Sequence, residues 1–166
     1  MNELSDEDVK LVAGLLAKLK PGFLPPPIFH EITRLTATPI VEIVPLRSKD
    51  NAVQILLLQR GSDDPVWPNM LHIPGTVLRA TDSLETAIDR VLTKELNEAQ
   101  VSKPKFVTNI LHHSGRGMEA SQVYWVEVIS SPIDGQFFDT DNLPDNLVKS
   151  QLDFIPQAIE DYRAQF

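Results

Sequence analysis

The stretch that decides the fold is PGTVLRATDSLETAIDRVLTKELN, residues 74–97. Its second half predicts a helix, because Ser83 is a suitable N-cap and apolar residues recur at three- and four-residue spacing as far as Leu96. Its first half, Gly75 to Asp82, lacks this periodicity and is predicted to be a loop. The stretch is therefore expected to form a loop that leads into an amphipathic helix.

This loop and helix resemble the Nudix box, G-x5-E-x7-R-E-U-x-E-E-x-G-U, in which U is aliphatic. In an alignment without gaps, the matching positions are Pro74-Gly75, Arg90, Leu92 and Glu95. Asp82 replaces the first glutamate, and Asn97 replaces the closing glycine. Asparagine is suitable there because it tolerates the left-handed conformation that ends helices.

The resemblance extends over residues 38–160. Leu56 to Arg60 resembles the family strand that ends in arginine, and Phe137 to Pro144 resembles its last strand-to-helix junction. The resemblance implies a Nudix-type α/β/α sandwich with a mixed sheet over residues 38–166. Strand and helix patterns that alternate along the chain independently predict an α/β fold.

Residues 1–37 are predicted to form an extension made of a helix and a proline-rich arm. Ser5 followed by Asp8 marks a helix start, and Pro21-Gly22 marks its end. Prolines 25–27 predict an extended segment from Phe23. We expect this extension to fold back on the domain or onto a partner subunit, so a homodimer is an open alternative.

Composition excludes several classes of function. The chain has 166 residues, a net charge of −8 and no cysteine. The negative charge argues against nucleic-acid binding, and the missing thiols exclude disulfides and cysteine nucleophiles. The chain has no apolar run of the roughly 20 residues that cross a membrane and no basic, apolar leader. A cytoplasmic protein is expected.

The altered box changes the chemistry that the resemblance implies. Nudix pyrophosphohydrolases hold divalent metal on three helix glutamates, and Val91 and Lys94 replace two of them here. Valine has no ligand atom, and lysine places a positive charge beside the metal position. An ordinary pyrophosphohydrolase is therefore disfavoured. The GDP-mannose mannosyl hydrolase branch lacks the same two glutamates, and residues 89–97 resemble its box. Residues 147–151 lack the histidine that this branch uses as a base.

A second alignment frame remains open. Lys94 to Ala99 imitates R-E-U-x-E-E if the preceding loop is four residues longer than usual. This frame uses Glu95 and Glu98 but abandons the match at Arg90. Both frames require Glu95.

The resemblance and the chemistry of individual residues together predict the following site residues. The catalytic residues are predicted to be Glu95 together with His112 or His113, which point to opposite faces of a strand. Substrate is expected to contact Arg60, Arg79 and Trp67. A single Mg²⁺ or Mn²⁺ ion is expected on Glu95, with Glu98 and Glu119 as further ligands. Arg90 is expected to pair with a loop carboxylate such as Asp82.

Two functional hypotheses follow from these residues. The first is an Mg²⁺-assisted hydrolase that acts on a nucleoside diphosphate linked to another group, such as a sugar. The alternative is a non-catalytic module that binds a nucleotide or a protein partner. The expected partner is a small-molecule nucleotide, as substrate or as ligand, with no nucleic acid and no membrane.

Overall fold

The computed structural model describes residues 4–97, 99–130 and 134–165. The helices are α1 (Asp6–Leu16), α2 (Pro26–Leu35), α3 (Leu84–Glu95) and α4 (Ile155–Arg163), and Lys149–Asp153 forms a 3₁₀ helix. The strands are β1 (Thr38–Lys49), β2 (Ala52–Gln59), β3 (Leu71–His72), β4 (Gly75–Val77), β5 (Lys105–Ser114), β6 (Gly117–Glu127) and β7 (Gln136–Asp139). None of the described helices is both long and apolar enough to cross a lipid bilayer.

The strands form one mixed sheet in the order β3-β2-β1-β6-β5, with β4 added to β1 and β7 added to β2. β1 and β6 are parallel, whereas the other pairs are antiparallel. β1 changes partner along its length, since it pairs with β4 at Ile40–Glu42 and with β2 at Leu46–Lys49. This change of partner opens the sheet beside β1, where the candidate site lies.

Each face of the sheet is covered by a helix. α3 buries Ala87 and Val91 against one face, and α4 buries Ile155, Ala158 and Ile159 against the other. Alternate residues of each strand supply the two cores, because successive side chains of a strand point to opposite faces. Val41 and Ile43 thus pack with α3, whereas Val44 and Leu46 pack with α4. This arrangement confirms the predicted α/β/α sandwich.

The N-terminal segment is more helical than expected. α1 begins as predicted, with a capping box between Ser5 and Asp8, but it buries no residue. The prediction of an extended segment through Pro27 is wrong, because Pro26 and Pro27 form the first turn of α2. Proline is tolerated there since the amides of the first turn have no partner within the helix. α2 contacts β6, and a Cβ on Gly117 would lie only 2.8 Å from the Thr33 carbonyl oxygen.

Two further predictions are wrong because long-range contacts form the structure at these places. The predicted loop at Gly75–Asp82 begins as strand β4, whose three residues are too few to show a period and pair with β1. The last helix begins at Ile155 rather than near Asn142. The segment before it is held against β3, where the Leu71 amide donates to the Asn146 carbonyl and the Val148 amide donates to the Leu71 carbonyl.

Candidate active site

Glu42 is a carboxylate inside a buried strand. It lies in β1 among apolar neighbours and is 5% exposed. Its Oε2 atom is buried and has no hydrogen-bond partner among the described residues. An unpaired buried carboxylate oxygen is costly unless a cation or a proton satisfies it. The buried, unpaired oxygen of Glu42 therefore indicates a binding site.

Glu95 approaches the same place from α3. Burial of Ala87 and Val91 fixes the rotation of this helix, and Glu95 is its last residue. The Gly75 amide donates a 3.3 Å hydrogen bond to Glu95 Oε2. Lys94, beside it, is exposed. Glu95 thus faces the sheet, whereas the Lys94 side chain is exposed to solvent.

Both glutamates line a cavity of ≈ 110 Å³ at the point where β1 changes partner. Arg60, His72 and Arg116 also line this cavity. The cavity thus combines two carboxylates with two guanidinium groups and one imidazole. Such a set can hold a cation and an anionic oxygen at the same time.

Burial controls the charge of both acids. Burial raises the pKa of Glu42 well above its ordinary value, with a further increase from Glu119 that Arg116 opposes. Burial also raises the pKa of Glu95, although the Gly75 hydrogen bond and Arg60 act in the opposite direction. A cation in the cavity would favour the charged form of both acids.

The two arginines are held in place by neighbouring residues. Arg60 pairs with Asp64 at 3.0 Å, and its buried Nε has no hydrogen-bond partner among the described residues. Arg116 donates to Glu119 through Nε at 3.0 Å and through Nη2 at 2.8 Å. Both guanidinium groups lie 5.0 Å from the ring centre of Trp67. Trp67 therefore acts as a common support for two phosphate-binding candidates.

His72 is neutral under ordinary conditions. Burial lowers its pKa to about 4, with a further decrease from Arg60. Nδ1 lies 2.7 Å from the Ile73 carbonyl oxygen, which can only accept a hydrogen bond. The proton is therefore on Nδ1, and Nε2 is left as an acceptor.

An open groove adjoins the cavity, since Arg60, His72 and Glu95 line both. The groove has a volume of ≈ 570 Å³, and its further lining includes Asp64 and Lys94. Its polar character is suited to a hydrophilic group joined to a molecule held in the cavity.

The structure brings some of the predicted site residues together and separates others. Glu95 and Arg60 line the cavity, and Trp67 supports it. His112 is buried, lies 2.9 Å from Ser121 Oγ and packs against Phe154. The described residues that line the cavity include neither His112 nor His113, which is exposed on the other face of β5.

Two further predicted residues, Glu119 and Arg79, lie near the cavity. Glu119 is 3% exposed and is bound by Arg116, and its Oε2 lies 4.0 Å from His112 Nε2. Arg79 lines a second, larger pocket rather than the cavity. Glu98 lies outside the described residues.

Arg90 has the structural role expected from the sequence. Its Nη1 and Nη2 donate to the two oxygens of Asp82 at 2.9 and 2.7 Å, and Nη2 also donates to the Val77 carbonyl oxygen at 3.0 Å. These bonds join α3 to the loop and to β4. Arg90 thereby helps to position Gly75, which lies in the same short strand.

The cavity offers few side chains that could bind a metal ion. Within residues 4–97, 99–130 and 134–165, no group of three or more His, Cys, Asp or Glu side chains is arranged to hold a metal. Glu95 and the unpaired oxygen of Glu42 nevertheless suit a hard cation, which prefers oxygen ligands. These two residues are the ones that would hold one Mg²⁺ ion.

Three cavity residues were missed in the sequence. Glu42 had the clearest signal, since a single carboxylate stands between two pairs of β-branched residues in a buried strand. Arg116 lies in the turn between β5 and β6, and the sequence of a turn does not show in which direction a side chain points. His72 lies in a two-residue strand that has no measurable pattern.

The architecture and the position of the loop and helix after β4 define the Nudix fold, and this chain has that fold. No protein-family model matches the chain, and no curated protein matches its sequence. The comparison with known proteins therefore rests on similarity to solved structures.

A mutT/nudix family protein from Listeria innocua superimposes with a TM-score of 0.64 at 17% identity, over 79% of this chain and 98% of that one. The NUDIX domain of Shewanella oneidensis NrtR, solved with ADP ribose, gives a TM-score of 0.57 at 19% identity over 98% and 99% of the two chains. The C-terminal domain of mouse MUTYH, solved with human PCNA, gives 0.60 at 14% identity over 78% and 91%.

These comparisons do not support the expectation that the chain binds no nucleic acid. A longer chain of Shewanella oneidensis NrtR was solved with a 27mer DNA, and this chain spans 62% of its length. The fold therefore does not exclude nucleic acid. The net charge of −8 remains the observation against it.

Proposed function

We propose that this chain is a Nudix-type hydrolase with an altered box, which acts on a nucleoside diphosphate linked to another group. The observation that carries this proposal is the convergence of Glu95 and the unpaired Glu42 oxygen with Arg60 and Arg116 in one cavity. Carboxylates that hold a cation and arginines that bind phosphate are the two requirements of diphosphate chemistry.

Each cavity residue has a role in this proposal. Arg60 would donate its unpaired Nε–H to a phosphate oxygen, and Arg116 would bind the other phosphate. Glu95 and Glu42 would hold one Mg²⁺ ion, which supplies neutralisation of the diphosphate and polarisation of its phosphorus–oxygen bonds. His72 Nε2 would accept a hydrogen bond from water, a role that neither His112 nor His113 has the position to perform.

The polar groove is consistent with a substrate in which another group is attached to the diphosphate. Because the groove shares Arg60 and Glu95 with the cavity, a group attached to the diphosphate would extend into it. Its polar lining favours a hydrophilic group such as a sugar. Specific resemblance to the mannosyl hydrolase branch rests on the box residues alone.

A second candidate function is binding without hydrolysis. Val91 is 1% exposed in the core and Lys94 is exposed, so among the described box residues α3 presents only Glu95 to the cavity. A site with so few acids would bind a nucleotide or a protein partner. It would not activate water enough for hydrolysis.

The test is a hydrolysis assay on nucleoside diphosphate sugars and dinucleoside polyphosphates, combined with thermal shifts, with and without Mg²⁺. We expect Mg²⁺-dependent turnover and a higher unfolding midpoint with Mg²⁺ and substrate together. Glu95→Gln should lose both effects. Glu85→Gln is the matched control, since Glu85 is an exposed residue of the same helix.

Three results separate the candidates. Turnover that Glu95→Gln abolishes supports the hydrolase. Nucleotide stabilisation without turnover, indifferent to Mg²⁺, supports the binding module. Equal turnover and equal Mg²⁺-dependent stabilisation of the Glu95→Gln and Glu85→Gln variants would remove Glu95 from the site and contradict the hydrolase.

A further inference from the structure

A second pocket of ≈ 520 Å³ lies between β4 and residues 21–37, which include α2 and are called the N-terminal arm below. Its walls are mostly apolar and include Phe23, Phe29 and Ile32 from the arm, and Val77 and Leu78 from the strand side. This volume lies within the range of about 300–1,000 Å³ that is typical of small-molecule sites. The pocket is therefore large enough for a nucleoside.

The pocket adjoins the cavity that contains the two glutamates. Gly75, Thr76, Val77 and Arg116 line both. The cavity, at ≈ 110 Å³, is much smaller and polar. One molecule with a compact anionic part and a larger apolar part would occupy the cavity and the pocket together.

Two side chains at the pocket indicate a planar ligand. Phe23 is 74% exposed, an unusual state for a phenylalanine that lines a pocket. The Arg79 guanidinium lies 5.7 Å from the centre of the Phe23 ring. An aromatic face and a guanidinium plane are the two protein surfaces on which nucleobases stack.

We propose that this pocket binds the nucleobase of a nucleoside diphosphate derivative, by stacking on Phe23 and Arg79, while the diphosphate lies in the cavity beside Arg116. The proposal rests on the proposed function for the position of the diphosphate. It assigns base recognition to the N-terminal arm, which lies outside the Nudix-box region.

The test is calorimetric titration of the full chain with ADP and with inorganic pyrophosphate, in the presence of Mg²⁺. Phe23→Ala should weaken ADP binding about tenfold and leave pyrophosphate binding unchanged, because base stacking contributes only to the first. Phe23→Tyr should retain the affinity for ADP. Phe106→Ala is the control, since Phe106 is 52% exposed on β5, away from the pocket.

The outcomes distinguish this proposal from the proposed function. ADP binding that requires Arg60 and Arg116 but is indifferent to Phe23→Ala overturns the base pocket alone. Binding that requires Phe23 but is unchanged in Arg116→Gln overturns the diphosphate site alone. If ADP and pyrophosphate both fail to bind, both proposals are wrong.

A third ligand tests the chemistry of the pocket. Geranyl diphosphate has the same diphosphate but a flexible aliphatic chain. Tighter binding of geranyl diphosphate than of ADP, with loss in Phe23→Ala, would overturn the assignment to a nucleobase. Weaker binding than ADP supports a planar ligand.

Discussion

Glu42 and Gly75 are paired directly across the antiparallel β1–β4 ladder, and the Glu42 carboxylate occupies the space that a side chain at position 75 would need. The same glycine donates its amide to Glu95. The absence of a side chain on Gly75 thus allows two carboxylates to approach one cavity. Its role is close contact rather than an unusual backbone angle.

Gly75→Ala should therefore destabilise the fold by about 1–3 kcal/mol, since the added methyl group collides with Glu42 Oε2 and lies 3.2 Å from the Val41 carbonyl oxygen. The measurement is urea unfolding of the wild type and the variant. The double variant Gly75→Ala, Glu42→Ala should recover much of the loss, because the carboxylate is the nearer obstacle. Strictly additive losses would contradict this explanation.

Glu42→Gln should stabilise the metal-free protein at neutral pH. Burial raises the pKa of Glu42 above 4.5, so the folded chain binds a proton more readily than the unfolded chain. Stability therefore falls as pH rises from about 4.5 towards the folded pKa, and the variant should escape this loss. We expect its unfolding midpoint to exceed that of the wild type by a few degrees at pH 8 and to approach it near pH 4.

Added Mg²⁺ should reverse this order if Glu42 is a ligand. The wild type should gain stability from the ion, while Glu42→Gln should gain little. Thermal melts of both proteins with a nucleotide and increasing Mg²⁺ make the comparison. An equal gain in both proteins would remove Glu42 from the metal site.

The Arg90–Asp82 pair should determine part of the stability in acid. Hydrogen bonds from Arg90 lower the pKa of Asp82 from 3.8 to about 2. The pair therefore contributes its full stabilisation above about pH 4 and loses it as pH falls through about 2. Asp82→Asn should have a lower unfolding midpoint at pH 7 and a shallower decline in acid than the wild type.

The control for this prediction is Asp89→Asn, which changes an exposed aspartate of α3, the helix that carries Arg90. It should follow the wild-type acid profile. If both variants have the same profile, the stabilising contribution of the Arg90–Asp82 pair is not supported.

Trp67 should affect phosphate binding without contact with phosphate. Its ring supports the guanidinium groups of Arg60 and Arg116. Trp67→Leu should weaken pyrophosphate binding about fivefold, because a cation–π pair of this exposure contributes about 1 kcal/mol. Trp67→Phe should retain most of the affinity. Titration calorimetry makes the measurement, and equal affinity in all three proteins would contradict the support role.

Parts of the molecule that are formed by contacts between residues close in sequence were predicted, whereas parts formed by contacts between distant residues were not. The α3 cap at Ser83 and the bond between Arg90 and Asp82 involve residues close in sequence, and both were predicted. Strand β4 was predicted as a loop because its strand character comes from β1, over 30 residues away. The delayed start of α4 has the same cause, since backbone hydrogen bonds to Leu71 hold the preceding segment.

Within the cavity, sequence indicated Glu95 and Arg60, which belong to motifs that can be aligned. Glu42, His72 and Arg116 belong to none, and their convergence depends on three separate strand pairings. His112 and His113 were correctly assigned to opposite faces of one strand. Which face adjoins the cavity depends on the packing of the sheet.

The sequence by itself determined the α/β fold, the helix that carries Glu95, and the presence of Val91 and Lys94 at two glutamate positions of the Nudix box, because periodicity and residue identity are local properties. Only the tertiary structure decided which charged groups share a cavity and that the N-terminal arm forms the wall of a neighbouring pocket. The physical reason is that a side chain's neighbours are set by strand register and helix packing. These bring together residues that no short sequence pattern relates.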